Sequence, residues 1–475
     1  MIPDSSHVRK GGPRWPPFLF VCSSRKPISH SARAVLAGRL IRVQLRDVPL
    51  TIALIETGHH DGALCAEIAR DCAPDVLLSD VGARLLEKSL SRDQRRKDGV
   101  FFSGLELADY VAGRVKHLID AGATIADPTC GGGDLLLACL RLFPAEADAQ
   151  SAAHSWGGRV KGFDLQSSFA EASRLRLAAL ALEAHKGSSA SMAELSNDFR
   201  GIMQGDYMQN AAHLSDTDVI VANPPFGSIC APPSCDWSTG KTQRAAIFLD
   251  QMIEHAKPYQ NIVAVLPDVL RSGSRYQRWR AKVEQRCRVL EVYRYGRFGD
   301  SADIDVFVLH VEKRAELDRP EVVPSWAGSS MPVSKVKLSD RFDVSIGPVV
   351  PHRHASAGQW CYYLDVASAT PNAEVSVLGK RRFGGKLVSP PFVVVRRTTS
   401  PSDKQRVVPT LVRADGPVAV ENHLVILSPQ SGGLAVCRRL MAQLKTDEVH
   451  QWVNIVNGCR HLTKSQVENI PIKEG

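Results

Sequence analysis

From about Gly99 to Val311 the chain alternates short apolar runs with longer segments of helical periodicity. The runs stand at Thr124–Ala126, Val160–Phe163, Val219–Ala222, Ile262–Leu266, Val289–Tyr293 and Val306–Val311. Apolar stretches of this length, bounded by turn residues, predict buried strands. Asp134–Leu142, Ser168–His185 and Gln243–His255 lie between them and predict helices. Strands alternating with helices imply an α/β fold, a doubly wound mixed sheet with helices on both faces and ligands at strand carboxyl ends. After about Arg314 the alternation stops. Val, Pro, Gly and Ser become frequent, and runs such as Phe392–Arg396 and Leu424–Leu427 predict a β-rich domain. Before Gly99 the signals are weaker, with apolar patches at Val43–Leu54 and Ala63–Leu90. The pattern divides the chain into a disordered leader (1–35), a small N-terminal subdomain (36–95), an α/β domain (96–318) and a β-rich domain (319–475).

Composition changes this picture little: 44% hydrophobic and 23% charged residues are ordinary for a globular protein. No run approaches the roughly eighteen apolar residues of a membrane span. The patch Pro16–Cys22 is short for a signal peptide, so the expectation is a cytoplasmic protein with no membrane partner. The eleven cysteines follow no disulfide spacing. Cys230 and Cys235 stand without a second Cys/His pair, and no metal site is expected.

Charge changes it more. The net charge is +9, and from Pro351 onward sixteen Lys/Arg face nine Asp/Glu. Within Lys380–Arg406 eight basic residues are opposed by Asp403 alone. Such concentration is the electrostatic footprint of a nucleic-acid binder, or else a solvated basic face.

Three motifs carry chemistry. Asp127-Pro128-Thr129-Cys130-Gly131-Gly132-Gly133 joins the first strand to a helix, a turn that lets a ligand approach backbone closely. Asp164 and Asp206 close later segments in the same strand-end position, where carboxylates commonly accept hydrogen bonds from a nucleoside. Taken singly, each could be a helix cap. Asn223-Pro224-Pro225-Phe226 follows the strand Val219–Ala222. The prolines stiffen the loop, the Asn223 amide and Pro224 carbonyl offer two acceptors for one amino group, and Phe226 offers a face on which a planar base can stack. The segment 227–242 reads as a mobile loop over the site. Its Gly240-Lys241-Thr242 lacks the first glycine of a phosphate loop, so ATP is not expected there.

In order and spacing these motifs resemble the DNA N6-adenine methyltransferases of restriction-modification systems, gamma-type, whose patterns D-P-x-C-G-x-G and N-P-P-[YF] are met by Asp127–Gly133 and Asn223–Phe226. Gly99–Ser103 resembles the segment before the sheet that contacts the methionine part of the cofactor, although Ser103-Gly104 replaces the usual Thr-Pro. The resemblance implies a Rossmann-like methyltransferase domain and S-adenosyl-L-methionine as cofactor. Its binding residues would be Phe102, Ser103, Asp127, Pro128, Cys130, Gly131, Gly133, Asp164, Asp206 and Asn223. Asn223, Pro224, Pro225 and Phe226 would act on the N6 of an adenine flipped from double-stranded DNA. The C-terminal part resembles a target-recognition domain, with Arg396, Arg397, Lys404, Arg406 and Arg460 on DNA. A separate restriction endonuclease or defence-system subunit is a further expected partner. The same loop serves RNA guanine-N2 and protein-glutamine methyltransferases, and a non-catalytic DNA-binding subunit is a third reading. The trailing basic domain favours DNA.

Overall fold

The computed structural model describes the chain outside residues 1–33, 37–38, 42–63, 92, 96–98, 100–101, 299–303, 316–325, 327–335, 355, 377, 400–402, 458–460 and 474–475. The expected leader, but for Ala34 and Val35, the patch Val43–Leu54 and Arg460 therefore lie outside the described residues. Ala34–Leu36 and Arg39–Ile41 form an antiparallel pair in a unit separate from residues 51–475.

The second unit is built on a seven-stranded sheet of β1 (Ile125–Asp127), β2 (Val160–Asp164), β3 (Ile202–Gln204), β4 (Val219–Ala222), β5 (Asn261–Pro267), β6 (Cys287–Arg297) and β7 (Asp305–Lys313). The order across the sheet is β3-β2-β1-β4-β5-β7-β6, parallel from β3 to β5, with β7 antiparallel to both neighbours. Every residue of β4 and β5 is buried, which is why these runs are apolar throughout rather than alternating. β3 was not legible: of its three residues only Ile202 is buried, so the edge strand leaves no apolar run. The chain proceeds outward from β1 to β3 in one direction and from β4 to β5 in the other, where β7 then inserts between β5 and the edge strand β6. A crevice opens over the carboxyl ends of β1 and β4, where such sheets bind ligands.

Helix Ser167–Ala184 carries apolar residues all round and has two partners. One face meets the sheet core. The other, through Phe169, Ala172, Leu175 and Ala179, meets Cys65, Ile68, Leu77 and Leu86 of the helices Leu64–Asp71, Pro74–Leu77 and Asp80–Lys88. A helix buried on both sides cannot show an amphipathic stripe.

Beyond residue 336 a five-stranded sheet contains Phe342–Ile346, Leu424–Pro429, Phe392–Arg396, Pro409–Val412 and Glu374–Val375. Gly379–Phe383, Gln359–Leu364 and Val418–Val420 form a second sheet. Cys437, Leu440, Trp452 and Val453, from helices Gly433–Leu444 and Asp447–Val456, complete one core with Val393, Val425 and Leu427. The segment 227–242 is bounded by a hairpin, Ser228–Cys230 pairing antiparallel with Lys241–Gln243. No helix among the described residues is long and apolar enough to cross a membrane, and no group of three metal-ligating side chains occurs among them.

Candidate functional site

The crevice is a cavity of about 1120 Å³ at the switch point. One wall is the loop after β1. Asp127 ends that strand 1% exposed, and its carboxylate accepts from the backbone N–H of Thr129 at 3.0 Å. Burial, reinforced by Asp164 and Asp134, pushes its pKa up to about 8. Pro128, Cys130 and Gly131 line the cavity with it. Gly133 instead caps the following helix at φ +83°, so close to Ser173 that a Cβ there would meet the hydroxyl at 2.5 Å.

Asp164, at the end of β2, accepts from Gly131 N–H at 3.1 Å and from Gln166 N–H at 2.9 Å. It thereby ties the glycine loop to the neighbouring strand; burial lifts its pKa to about 6. Asp206 lines the cavity and also caps the short helix Tyr207–Asn210, accepting from Met208 N–H at 3.0 Å. Tyr207 and Phe248 add an apolar wall, their ring centroids 6.2 Å apart.

The opposite wall is the loop after β4. Asn223 and Pro225 line the cavity, and the Asn223 Nδ2 donates to Ser103 Oγ at 3.1 Å. Ser103 and Phe102 face the same space. Gly99 holds this segment against the loop. Phe226 N–H donates to the Gly99 carbonyl at 3.0 Å, and at φ +71° a Gly99 Cβ would lie 2.0 Å from the Phe226 carbonyl oxygen. Pro224 and Phe226 are not among the lining residues. Phe226 is 2% exposed, its ring packed edge-on against Phe298 at 5.6 Å and 65°.

Three features escaped the sequence reading. Arg176, fully buried, donates through Nη1 to the Gly132 carbonyl and to Asp134 Oδ1, both at 2.6 Å, and through Nε to the Leu77 carbonyl at 3.2 Å. Asp134 Oδ2 accepts from Gly104 N–H at 3.3 Å. One ion pair thus joins the glycine loop, the N-terminal helices and the residue after Ser103. Its sole sequence signal is an arginine within a helix apolar on every side. Glu67 and Arg70 of helix Leu64–Asp71 also line the cavity, Arg70 pairing with Glu171 at 2.6 Å. Nothing in their spacing marks them.

The basic candidates of the C-terminal region separate by burial. Lys404 is exposed, and Arg396 and Arg397 are half-buried. Arg406 is not on the surface: it is 0% exposed, donates to the Asn457 carbonyl at 3.2 Å, and sits beside His450. A guanidinium enclosed there cannot meet a phosphate while the domain stays folded.

A search of curated proteins gives no match to this chain. Among solved structures, one described as a modification subunit of a type I restriction enzyme from Vibrio vulnificus YJ016 matches at 16% identity and TM-score 0.35. The match covers 49% of this chain and 48% of that one, so the chain spans about half the relative's length. The type IIL restriction-modification enzyme MmeI, in complex with DNA, matches at 10% identity and TM-score 0.47 over 83% and 69% of the two chains. The type IIG restriction endonuclease BpuSI matches at 12% and 0.40 over 91% and 68%. The family model for N-6 DNA methylases matches residues 75–314, half of the chain and all of the cavity's strand-end motifs, and the chain belongs to that family.

Proposed function

We propose that this protein transfers a methyl group from S-adenosyl-L-methionine to the N6 of an adenine in double-stranded DNA, within a restriction-modification or phage-defence system. The observation that carries the reading is the meeting of Asn223 with Asp127, Asp164 and the glycine loop in one cavity at the sheet's switch point.

The residues suit the cofactor. Gly131 presents bare backbone where a Cβ would meet nothing within 4 Å. Asp127, Asp164 and Asp206 supply carboxylates that favour a cationic, hydroxyl-bearing ligand, and Tyr207 and Phe248 supply an apolar side for a planar ring. Bound there, the cofactor supplies a methyl group activated by a sulfonium.

This chain's residues do the rest. Ser103 accepts from the Asn223 amide nitrogen and fixes that side chain; the amide oxygen is the acceptor this reading assigns to the incoming amino group. The Pro224 carbonyl is the second acceptor in this reading; Pro224 lies outside the cavity lining, so engaging it requires that carbonyl to turn into the cavity. Two acceptors on one exocyclic amine draw its lone pair out of ring conjugation and onto nitrogen. Catalysis is then mainly positioning. Phe226 enters as the anchor of the loop; stacking on a base would require its ring to leave Phe298. A stacked adenine cannot bring N6 down to a methyl donor held at the strand ends, so the base is flipped at a cost of a few kcal/mol. Residues 96–318 carry transfer, and residues 319–475 carry target recognition.

The test is transfer of label from S-adenosyl-L-methionine to unmethylated genomic DNA, followed by digestion to nucleosides. N6-methyladenine that vanishes in Asn223→Ala is the expected product. Label in another nucleoside, or only in ribosomal RNA or protein, would overturn the reading.

A further inference from the structure

We propose that the outer face of the three-stranded sheet beyond residue 358, formed by Trp360, Tyr362, Lys380 and Arg382, is a contact surface for duplex DNA. The inference rests on the reading of DNA as substrate and names, at the start of the basic stretch Lys380–Arg406, a surface distinct from Arg396, Arg397, Lys404, Arg406 and Arg460.

Strands Gln359–Leu364 and Gly379–Phe383 run antiparallel, with Trp360 opposite Arg382 and Tyr362 opposite Lys380. Alternate residues of a strand face opposite sides. Cys361 and Phe383 point inward, to a small core with Val349 and Ala419. The other four share the outer face, an aromatic residue beside a cation in each pair. Trp360 is 69% exposed, more than any other large hydrophobic side chain among the described residues. Lone exposed apolar residues need no explanation. An indole held across from an arginine is different, because the pair matches a nucleotide's two surfaces, an apolar sugar-base edge and a phosphate.

The positions are fixed, with Trp360, Lys380 and Arg382 exposed and Tyr362 half-buried against the core that contains Leu364 and Val418. Arg382 Nε donates to the Gly358 carbonyl at 3.0 Å, and Lys380 Nζ lies 5.6 Å from the Tyr362 ring centroid. The adjoining turn is brought alongside by Arg381, which donates to the His354 carbonyl at 3.1 Å. That turn adds the exposed Arg353. No acidic residue occurs between Asp343 and Asp365, or between Glu374 and Asp403. A protein partner would ordinarily be met by charges of both signs, whereas these two strands and their adjoining turn, cationic and aromatic with no acid of their own, are complementary to a phosphate backbone.

The test measures binding of the full chain to labelled fragments of unmethylated genomic DNA over a range of salt concentrations. Lys380→Gln with Arg382→Gln should weaken binding and lower the slope of log Kd against log salt by about 1 to 2. Trp360→Ala should weaken binding roughly five- to hundredfold with the slope unchanged, and Trp360→Phe should restore much of it. Lys116→Gln with Lys186→Gln, surface cations on helix Gly104–Asp120 and in the turn after Ala184, should change neither. Variants of the patch that bind with wild-type affinity and slope would overturn the proposal. The same preparations are assayed for N6-methyladenine. Methylation by the wild type, with patch variants binding normally, removes the surface and keeps the function. Binding lost in the patch variants, with no methyl product from the wild type, does the reverse. A wild-type chain that binds no duplex overturns both.

Discussion

Around the cavity, charge lies inside the protein: Arg176 is fully buried, and Asp134 and Asp127 are nearly so. In the sheets beyond residue 336 most charge stands in solvent, as at Lys380, Arg382 and Lys404, and one arginine, Arg406, is enclosed. The same residue type therefore serves two purposes. A buried guanidinium has shed its water and must replace it with fixed acceptors, so it sets the position of whatever it holds. An exposed one keeps its water and contributes a field that attracts an anion. Arg176 holds the glycine loop and Arg406 holds the end of helix Asp447–Val456, so both belong to architecture. Counting charges along the chain cannot make this distinction.

The sharpest break of the comparison is at Arg176. Replacing it with Ala leaves the Asp134 carboxylate buried without its cation, which should cost about 3–5 kcal/mol and be read as a lowered denaturation midpoint. Removing both partners together, Arg176→Met with Asp134→Asn, should recover part of that loss. Arg406→Ala should destabilise by about 1–3 kcal/mol through the hydrogen bond and packing it gives up.

A smaller effect tests the buried carboxylates by pH. Asp127 at about 8 and Asp164 at about 6 are both raised above 3.8, so the folded protein binds these protons more tightly than the unfolded chain does. Their contribution to stability therefore falls as pH rises from about 4 through 6 and 8. A cationic ligand favours the deprotonated carboxylates and reverses the trend. The thermal shift produced by S-adenosyl-L-methionine should grow with pH across that window, and Asp127→Asn should flatten its upper part. Smallest of all is Lys404→Gln, an exposed site, where stability should stay within about 0.5 kcal/mol of the wild type. A large loss there, or none at Arg406, would erase the distinction between buried and exposed charge.

How legible this was follows from which physics reaches the sequence. β1, β2, β4, β5 and β7 announced themselves because they are buried on both sides or nearly so, and the chain must be apolar there; β6, an edge strand with only Cys287 and Val289 buried, was legible through its run Val289–Tyr293. The loops after β1 and β4 were legible because proline fixes the backbone and glycine permits conformations and close approaches that a Cβ forbids, as Gly99 against Phe226 illustrates in a quieter place. β3 was hidden by its exposed edge position. Arg176 reaches the glycine loop, and Glu67 and Arg70 the cavity, through tertiary packing between segments far apart in the chain, which no local pattern encodes. Phe226 shows the remaining limit: an aromatic residue after a proline turn reads the same whether its ring faces a ligand or another phenylalanine.

The central claim is a division of labour within one cavity, Asp164 for the cofactor and Asn223 for the target amine. Its most direct test pairs equilibrium binding of S-adenosyl-L-methionine with single-turnover methyl transfer to DNA in Asp164→Ala and Asn223→Ala. The account predicts cofactor binding within a few-fold of wild type in Asn223→Ala, with transfer lost by about 10²–10³-fold, as for other preorganised hydrogen-bonding groups. Asp164→Ala should lose cofactor affinity first. Transfer at wild-type rate in Asn223→Ala, or cofactor binding unchanged in Asp164→Ala, would contradict it.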